Sequence, residues 1–292
     1  MNSLSDLEIP ALLRKYGVKP DKRHGQSFLK NHTTAREIVR HAGLTESDVV
    51  LEIGGGLGIL TRYLVQPAGR VYVVEIDKGL ATALRELACE YPNLTVIEGD
   101  ALRLPLPAAN KVVSNLPYSI SSEITFRLLR EMDLDCAVLM YQREFAERLM
   151  VEPGSPIYSR LSVNFQYSAS AVQLMEVEPE EFYPVPAVSS LVVKVQRRSE
   201  GPFAKDEAIF HWMVRGIYSY PNKHVRRAFA IWFRTLGIDK KMADDVLSLC
   251  SSRIPPTAKL RSLDLESLVL LADTILELVR EKRLPRPGES QR

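Results

Sequence analysis

Residues 49–58, VVLEIGGGLG, decide the fold, because an apolar, β-branched run ends there in a glycine-rich turn. Such a run is typical of a buried strand, and the glycines allow a sharp turn into a helix. Further β-branched runs occupy 70–76, 94–97, 111–113 and 137–140, and segments with helical spacing separate them. This alternation predicts a parallel sheet covered by helices on both faces.

The end of this region predicts an antiparallel hairpin at one edge of the sheet. A strand at 188–195 follows the proline-rich segment 182–186 and would pair with a partner near 169–177. Beyond Arg197 only helical spacing continues. We therefore expect four parts, which are a basic, partly disordered N-terminal segment 1–24, an α/β domain 25–199, a helical domain 200–284 and a disordered tail 285–292.

The composition is that of an ordinary globular protein. Of 292 residues, 46% are hydrophobic and 25% are charged, which argues against a disordered or fibrous chain. No apolar stretch is long enough for a membrane span, and the N-terminus lacks the pattern of a secretory signal, so we expect a cytoplasmic protein without membrane contact. The three cysteines and five histidines have no metal-ligand spacing, so we expect no metal.

Positive charge is concentrated at the two ends of the chain. Residues 197–292 hold 18 basic and 12 acidic residues, whereas residues 1–196 hold 20 and 24. Within that first part, residues 14–30 form a further basic cluster that Asp21 alone opposes. Basic segments on both sides of a mildly acidic centre favour a polyphosphate partner, because each neutralised phosphate releases counterions.

The order of the glycines indicates the ligand class. A dinucleotide site requires GxGxxG, but this loop has glycines at 54, 56 and 58 and the acidic Glu52 before them. The ExGxGxG pattern is typical of adenosylmethionine-dependent methyltransferases. Glu75 ends the next strand, where a carboxylate can accept hydrogen bonds from both ribose hydroxyls. Asp100 follows the third strand and could accept from an adenine amine.

The segment Asn115-Leu116-Pro117-Tyr118 directly follows the fourth strand. An exocyclic base amine is a poor nucleophile because its lone pair is delocalised into the ring. The Asn115 oxygen and a backbone carbonyl could together accept both amine hydrogens and localise the lone pair. Pro117 would fix the direction of that carbonyl, and Tyr118 offers a ring on which the base could stack.

These motifs, together with Gly25-Gln26-Ser27-Phe28-Leu29 and the segment FYPVPAVSS at 182–190, occur in the order seen in the rRNA adenine N(6),N(6)-dimethyltransferase family. The resemblance covers about residues 20–235 and is closest to the archaeal and eukaryotic branch, which includes the archaeal-type small-subunit methyltransferase A. It implies a Rossmann-like class I methyltransferase sheet, mostly parallel with an antiparallel edge hairpin, and a small all-helical C-terminal RNA-binding domain.

The resemblance also implies an activity and a set of site residues. The activity is transfer of methyl groups from S-adenosyl-L-methionine to two adjacent adenosines in the 3′-terminal hairpin loop of 16S rRNA, within a pre-30S particle, by a monomer that takes part in small-subunit biogenesis. The catalytic residues would be Asn115, Leu116, Pro117, Tyr118 and Phe182, with Phe182 stacking on the flipped base opposite Tyr118. Cofactor-binding residues would be Gln26, Ser27, Leu29, Gly54, Gly56, Gly58, Glu75, Ile76, Asp100, Ala101 and Asn115. RNA-binding residues would be Lys22, Arg23, Lys223, His224, Arg226 and Arg227.

Two other functions remain compatible with the sequence. The chain could act mainly as a non-enzymatic ribosome-assembly factor, although intact motifs at all the expected sites argue against a purely non-enzymatic role. It could also methylate large-subunit rRNA or DNA adenine, since the motifs do not separate these targets.

Overall fold

A computed structural model describes residues 8–20 and 26–288 of the chain. Contacts divide the chain into two units, one of residues 1–146 and 169–197 and one of residues 147–168 and 198–292. Within the described ranges, no helix combines the length and the apolar character needed to cross a bilayer.

The first unit is built on a seven-stranded sheet and a separate two-stranded sheet. It contains six helices or parts of helices among the described residues, because the last of them continues into the second unit. The strands are β1 (Phe28–Leu29), β2 (Val49–Ile53), β3 (Arg70–Glu75), β4 (Leu94–Glu98), β5 (Lys111–Asn115), β6 (Cys136–Gln142), β7 (Ala169–Val177), β8 (Phe182–Tyr183) and β9 (Ser190–Arg197). The helices are α1 (Glu8–Lys15), α2 (His32–Ala42), α3 (Thr61–Leu64), α4 (Lys78–Ala88), α5 (Ser121–Glu131) and α6 (Arg143–Met150).

The large sheet has the strand order β4-β3-β2-β5-β6-β9-β7. Neighbours from β4 to β6 pair in parallel, whereas β9 pairs antiparallel with both β6 and β7. The predicted parallel sheet and edge hairpin are therefore confirmed. The chain runs from β2 through β3 to β4 on one side of β2, and then continues with β5 on its other side. This switch point between β2 and β5 leaves a crevice at the carboxyl ends of the strands.

Apolar side chains of the parallel strands form the core of this unit. Val50, Val71, Val113 and Val138 are fully buried and pack with apolar residues of α2 and α3. Asn31 caps α2, because its side chain accepts hydrogen bonds from the backbone of Thr33 and Thr34. Asp77 caps α4 in the same way through the N–H of Leu80, at 3.0 Å.

Part of the N-terminal segment is helical. Residues 8–15 form α1, which buries Ile9 and Leu13 in a small apolar cluster with Phe28 and Leu80. The i and i+4 spacing of Ile9 and Leu13 places both on one face of the helix. Residues 1–7, 21–25 and 289–292, with the predicted RNA contacts Lys22 and Arg23, lie outside the described residues.

The described residues of the second unit form helices joined by turns and irregular segments, with one isolated bridge between His224 and Lys259. It has one large apolar cluster, to which Tyr158, Val163 and Tyr167 contribute. Its helices are the end of α6, then α7 (Arg160–Ser168), α8 (Glu207–Ile217), α9 (Val225–Thr235), α10 (Met242–Leu249) and α11 (Leu265–Arg280). The sequence analysis placed residues 147–168 in the α/β domain, and the structure places them here. The reason is that helical spacing identifies an apolar face but does not identify the core in which that face is buried.

Candidate active site

A cleft of about 570 Å³ lies at the carboxyl ends of β2, β3, β4 and β5. It brings together nearly all the residues predicted to bind the cofactor or the target base. Those lining it are Gln26, Ser27, Leu29, Gly54, Gly56, Glu75, Ile76, Asp100, Ala101, Asn115, Leu116, Pro117 and Tyr118. Gly58 and Phe182 do not line it.

The glycine loop is held in a left-handed conformation beside the Asn-Leu-Pro-Tyr turn. Gly54 and Gly56 have φ angles of +76° and +57°, a region that residues with a side chain rarely adopt. A Cβ atom on Gly54 would lie only 3.0 Å from Cγ of Pro117. The two motifs are therefore in close contact, as a site that joins a cofactor to a target base requires. Gly58 also has a positive φ, +78°, which allows the backbone to turn there, although the residue does not line the cleft.

Glu75 connects the end of β3 to the glycine loop. Its carboxylate accepts hydrogen bonds from the N–H groups of Gly56 and Asp77, each at 3.0 Å. The residue is 4% exposed, and burial raises the pKa of its carboxyl. An ionised carboxylate has about four acceptor positions, so the bonds to backbone N–H groups leave room for a hydroxyl group in the cleft.

Glu52 also lines the cleft, although sequence reasoning did not include it among the site residues. It is 1% exposed and accepts a hydrogen bond of 2.7 Å from the Thr61 hydroxyl. Burial raises the pKa of Glu52 to about 8, and the nearby Glu75 carboxylate adds to this shift. The signal in the sequence was an acid inside a buried strand.

The turn after β4 holds Asp100 through several hydrogen bonds. The Asp100 carboxylate accepts from the N–H of Leu102 at 2.9 Å and forms an ion pair of 3.3 Å with Arg103. Arg127 of α5 donates to the carbonyl oxygens of Ala101 at 2.5 Å and Leu104 at 2.7 Å. The guanidinium thus joins this turn to the helix that follows the Asn-Leu-Pro-Tyr segment. Nothing in the sequence pattern had identified Arg127.

The Asn115-Leu116-Pro117-Tyr118 turn leaves acceptors available at the cleft. The Asn115 carboxamide and the Leu116 carbonyl make no hydrogen bond to any residue in the described part of the chain. The Tyr118 hydroxyl is fixed by a 2.7 Å hydrogen bond with Ser190 Oγ. Burial raises the pKa of Tyr118, so its phenol stays neutral at neutral pH.

Phe182 is not at the cleft, and its predicted stacking on a flipped base does not fit this structure. The side chain is fully buried in the core, and its backbone pairs with Leu29 in the β1–β8 sheet. Neighbouring side chains in a strand point to opposite faces, so Phe182 faces the core and Tyr183 packs on the other side with Phe28. Phe28 is the second aromatic residue that lines the cleft, and sequence reasoning missed it.

The predicted RNA contacts in the helical unit lie at the start of α9. Lys223, His224, Arg226 and Arg227 are all exposed. The Arg226 guanidinium already bonds both carboxylate oxygens of Asp244, at 2.5 and 2.8 Å. The His224 ring bonds the Thr257 carbonyl. The side chains of Lys223 and Arg227 make no ion pair with described residues, so these two cations are the ones available to a phosphate.

The cleft fits the methyl donor that the resemblance implies. Glu75 lines the cleft and has acceptor positions left for a ribose diol. Ile76, which is 67% exposed, offers an apolar surface to a purine beside Asp100. A Cβ atom added at position 56 would lie 3.3 Å from the Phe28 ring, so the glycine keeps that part of the cleft open.

Comparisons with known proteins identify the family of the chain. The family model described as ribosomal RNA adenine dimethylase matches residues 17–243. A probable ribosomal RNA small subunit methyltransferase A of Methanococcus maripaludis strain C7 is 36% identical over 89% of this chain and 99% of its own length. A protein of the same name from Methanopyrus kandleri is 42% identical over 84% of this chain and 88% of its own.

Solved structures show the same similarity. A dimethyladenosine transferase from Plasmodium falciparum superposes with a TM-score of 0.74 at 28% identity, and the match covers 87% of this chain and 98% of that one. The 23S rRNA methyltransferase ErmE gives a TM-score of 0.63 at 26% identity, covering 85% and 98%. From the family match and these relatives, the chain belongs to the ribosomal RNA adenine dimethylase family and is an S-adenosylmethionine-dependent rRNA adenine dimethyltransferase.

Proposed function

We propose that this enzyme forms N(6),N(6)-dimethyladenosine at two adjacent adenosines in the 3′-terminal hairpin loop of 16S rRNA, within a pre-30S particle. The curated relatives that are 36–42% identical are named small-subunit methyltransferases, whereas the large-subunit enzyme ErmE is 26% identical. This difference supports the small subunit as the target. Action as a monomer, a role in small-subunit biogenesis and a cytoplasmic location belong to the same proposal.

One observation carries the proposal, which is the pair of unoccupied acceptors at the Asn115 turn. The Asn115 carboxamide oxygen and the Leu116 carbonyl accept the two hydrogens of the adenine amine and thereby localise its lone pair. Pro117 lies against Gly54, so this turn is fixed relative to the cofactor loop. The Tyr118 ring supports the base, and its hydroxyl stays bonded to Ser190.

When bound, S-adenosylmethionine supplies an electrophilic methyl group on a sulfonium. The protein's contribution is positioning, because reacting atoms held about 3–3.5 Å apart can lower a barrier by about 7–11 kcal/mol. A base stacked in a helix cannot enter the cleft, so the target must lie in a loop or be flipped out. With Phe182 buried, we expect Tyr118 to be the aromatic residue of the cleft that stacks on the extruded base.

The position of the modified nucleotides tests this function. Small and large subunits lacking the modification are incubated with the enzyme and the methyl donor, and the rRNA is mapped by primer extension. We expect stops at two adjacent adenosines near the 3′ end of small-subunit rRNA and none in the large subunit. Stops in large-subunit rRNA alone would show that the large subunit is the target and would refute this proposal. Restoration of subunit assembly by a variant without transfer activity would favour the assembly-factor function.

A further inference from the structure

Four side chains of α2 and α3 form a positively charged surface on the first unit, and none of them belongs to the site described above. His32 and Arg36 lie one turn apart on α2, and Arg62 and Tyr63 lie on α3. The His32 Nδ1 atom and the Tyr63 hydroxyl are hydrogen-bonded at 3.1 Å, and the two rings meet edge to face with centroids 5.9 Å apart. The Arg36 guanidinium lies over the Tyr63 ring, 5.5 Å from its centroid. We call this group the α2–α3 patch.

The two arginines of the patch carry uncompensated charge. Both are exposed, and neither has an ion pair or a side-chain hydrogen bond with any residue of 8–20 or 26–288. Arg40, one turn further along α2, is equally exposed but pairs with Glu37 at 2.6 Å. Burial and the positive charges of Arg62 and Arg36 lower the pKa of His32.

The patch lies close to the cleft along two separate parts of the chain. Leu29 and Leu60 both line the cleft. His32 is three residues beyond Leu29, and Arg62 is two residues beyond Leu60, so the Cα atoms lie within about 11 Å and 7 Å of them, at ~3.6 Å per residue. A nucleotide strand whose base entered the cleft would therefore pass within reach of these long side chains.

Guanidinium groups beside partly exposed rings are a combination that suits single-stranded RNA. Arginine bonds phosphate oxygens in a bidentate manner, while aromatic and imidazole rings stack on unpaired bases. Tyr63 is half-buried, so one part of its ring is fixed in the protein and another part remains accessible. A patch with arginines alone would select charge only, whereas this patch also offers stacking.

We propose that the α2–α3 patch binds the rRNA strand that flanks the target adenosine, with Arg36 and Arg62 on phosphates and Tyr63 and His32 against a base. This inference rests on the proposed function, since it takes the loop of an rRNA hairpin as the partner. It assigns to the methyltransferase unit an RNA contact that is separate from Lys223 and Arg227 of the helical unit.

The test compares the double variant Arg36→Gln/Arg62→Gln with Arg40→Gln, which removes an equally exposed arginine from the same helix. Binding of unmodified small subunits is measured by filter retention from 50 to 300 mM KCl. Each phosphate contact to a single strand contributes about 0.7 to the slope of log K against log salt. We expect the double variant to lose about 1.4 from that slope and at least tenfold in affinity at the lowest salt. Arg40→Gln should match the wild type.

Tyr63→Leu separates stacking from charge. It should weaken RNA binding several-fold while the salt slope stays at the wild-type value. All variants should bind S-adenosylmethionine normally, which shows that they are folded. At saturating RNA the double variant should keep the wild-type kcat with a raised KM for RNA. If the wild-type enzyme were itself inactive on small subunits, that result would contradict the proposed function and not the patch. A double variant with the same slope and affinity as Arg40→Gln would overturn the patch proposal.

Discussion

Replacing Arg127 with Met should loosen the turn that carries Asp100 and weaken cofactor binding. The methionine keeps the unbranched apolar stem and the helix propensity but removes the guanidinium. The carbonyls of Ala101 and Leu104 then lose their donor, at 2.5 and 2.7 Å in the wild type. The Arg127 side chain is only 12% exposed, so water replaces the lost donor poorly.

The size of the effect follows from these two bonds. A hydrogen bond to a charged group contributes about 1.5–3 kcal/mol, so two lost bonds cost about 3 kcal/mol or more. If the cost falls entirely on the cofactor-competent form of the turn, affinity falls by roughly 100-fold, because about 1.4 kcal/mol corresponds to tenfold. Arg127→Lys should be intermediate, since an ammonium group can still bond to a carbonyl.

Isothermal titration with S-adenosylmethionine and urea unfolding measure the two consequences. The matched control is Arg130→Met on the same helix, whose side chain is 70% exposed and pairs only with Glu131 among described residues. That exposed pair contributes about 0.5 kcal/mol or less. If Arg127→Met bound the cofactor as tightly as Arg130→Met, the turn would not depend on the guanidinium and this reasoning would be wrong.

Three further predictions concern single groups. Asn115→Ala should abolish methyl transfer in a tritium assay and leave cofactor binding in titration within a few-fold of the wild type; undiminished transfer would remove Asn115 from the mechanism. Glu52 binds its proton more tightly when folded, so the free energy of unfolding should fall as pH rises from 4.5 to about 8, at up to about 1.4 kcal/mol per pH unit. Glu52→Gln should lack this decline in urea titrations at pH 5 and 9, and parallel curves for the two proteins would contradict the shift. Lys223→Glu/Arg227→Glu should weaken subunit binding and flatten its salt dependence in filter assays, and an unchanged slope would assign both side chains to the solvated surface.

The parallel sheet could be predicted because its strands are short, mostly β-branched runs, and most residues of β2, β3, β5 and β6 are buried. The same logic located the cleft, since Gly54, Glu75, Asp100 and Asn115 all stand where such strands end. A β-branched run shows from local sequence alone where a strand ends, and therefore which side chains lie at that end of the sheet.

Other features depend on contacts that a local pattern does not contain. Phe182 was assigned to the cleft from its motif, but the pairing of its strand with Leu29 turns the side chain into the core. The burial of α1 depends on Phe28 and Leu80, which lie far along the sequence. In the sequence, Arg127 looks like any arginine on an exposed helix face. Its contacts with the carbonyls of Ala101 and Leu104 exist only because α5 packs against the turn after β4.

The path of the chain through the two units affects how the protein could be dissected or recombined. The chain leaves the sheet unit after residue 146, returns at 169 to supply the edge strands, and leaves again after 197. A gene shortened at codon 199 would therefore still encode residues 147–168 but none of the other helices that bury Tyr158 and Val163. An autonomous catalytic fragment would need a short bridge in place of that excursion, and exchange of the helical unit between homologues would require three crossover points, after residues 146, 168 and 197.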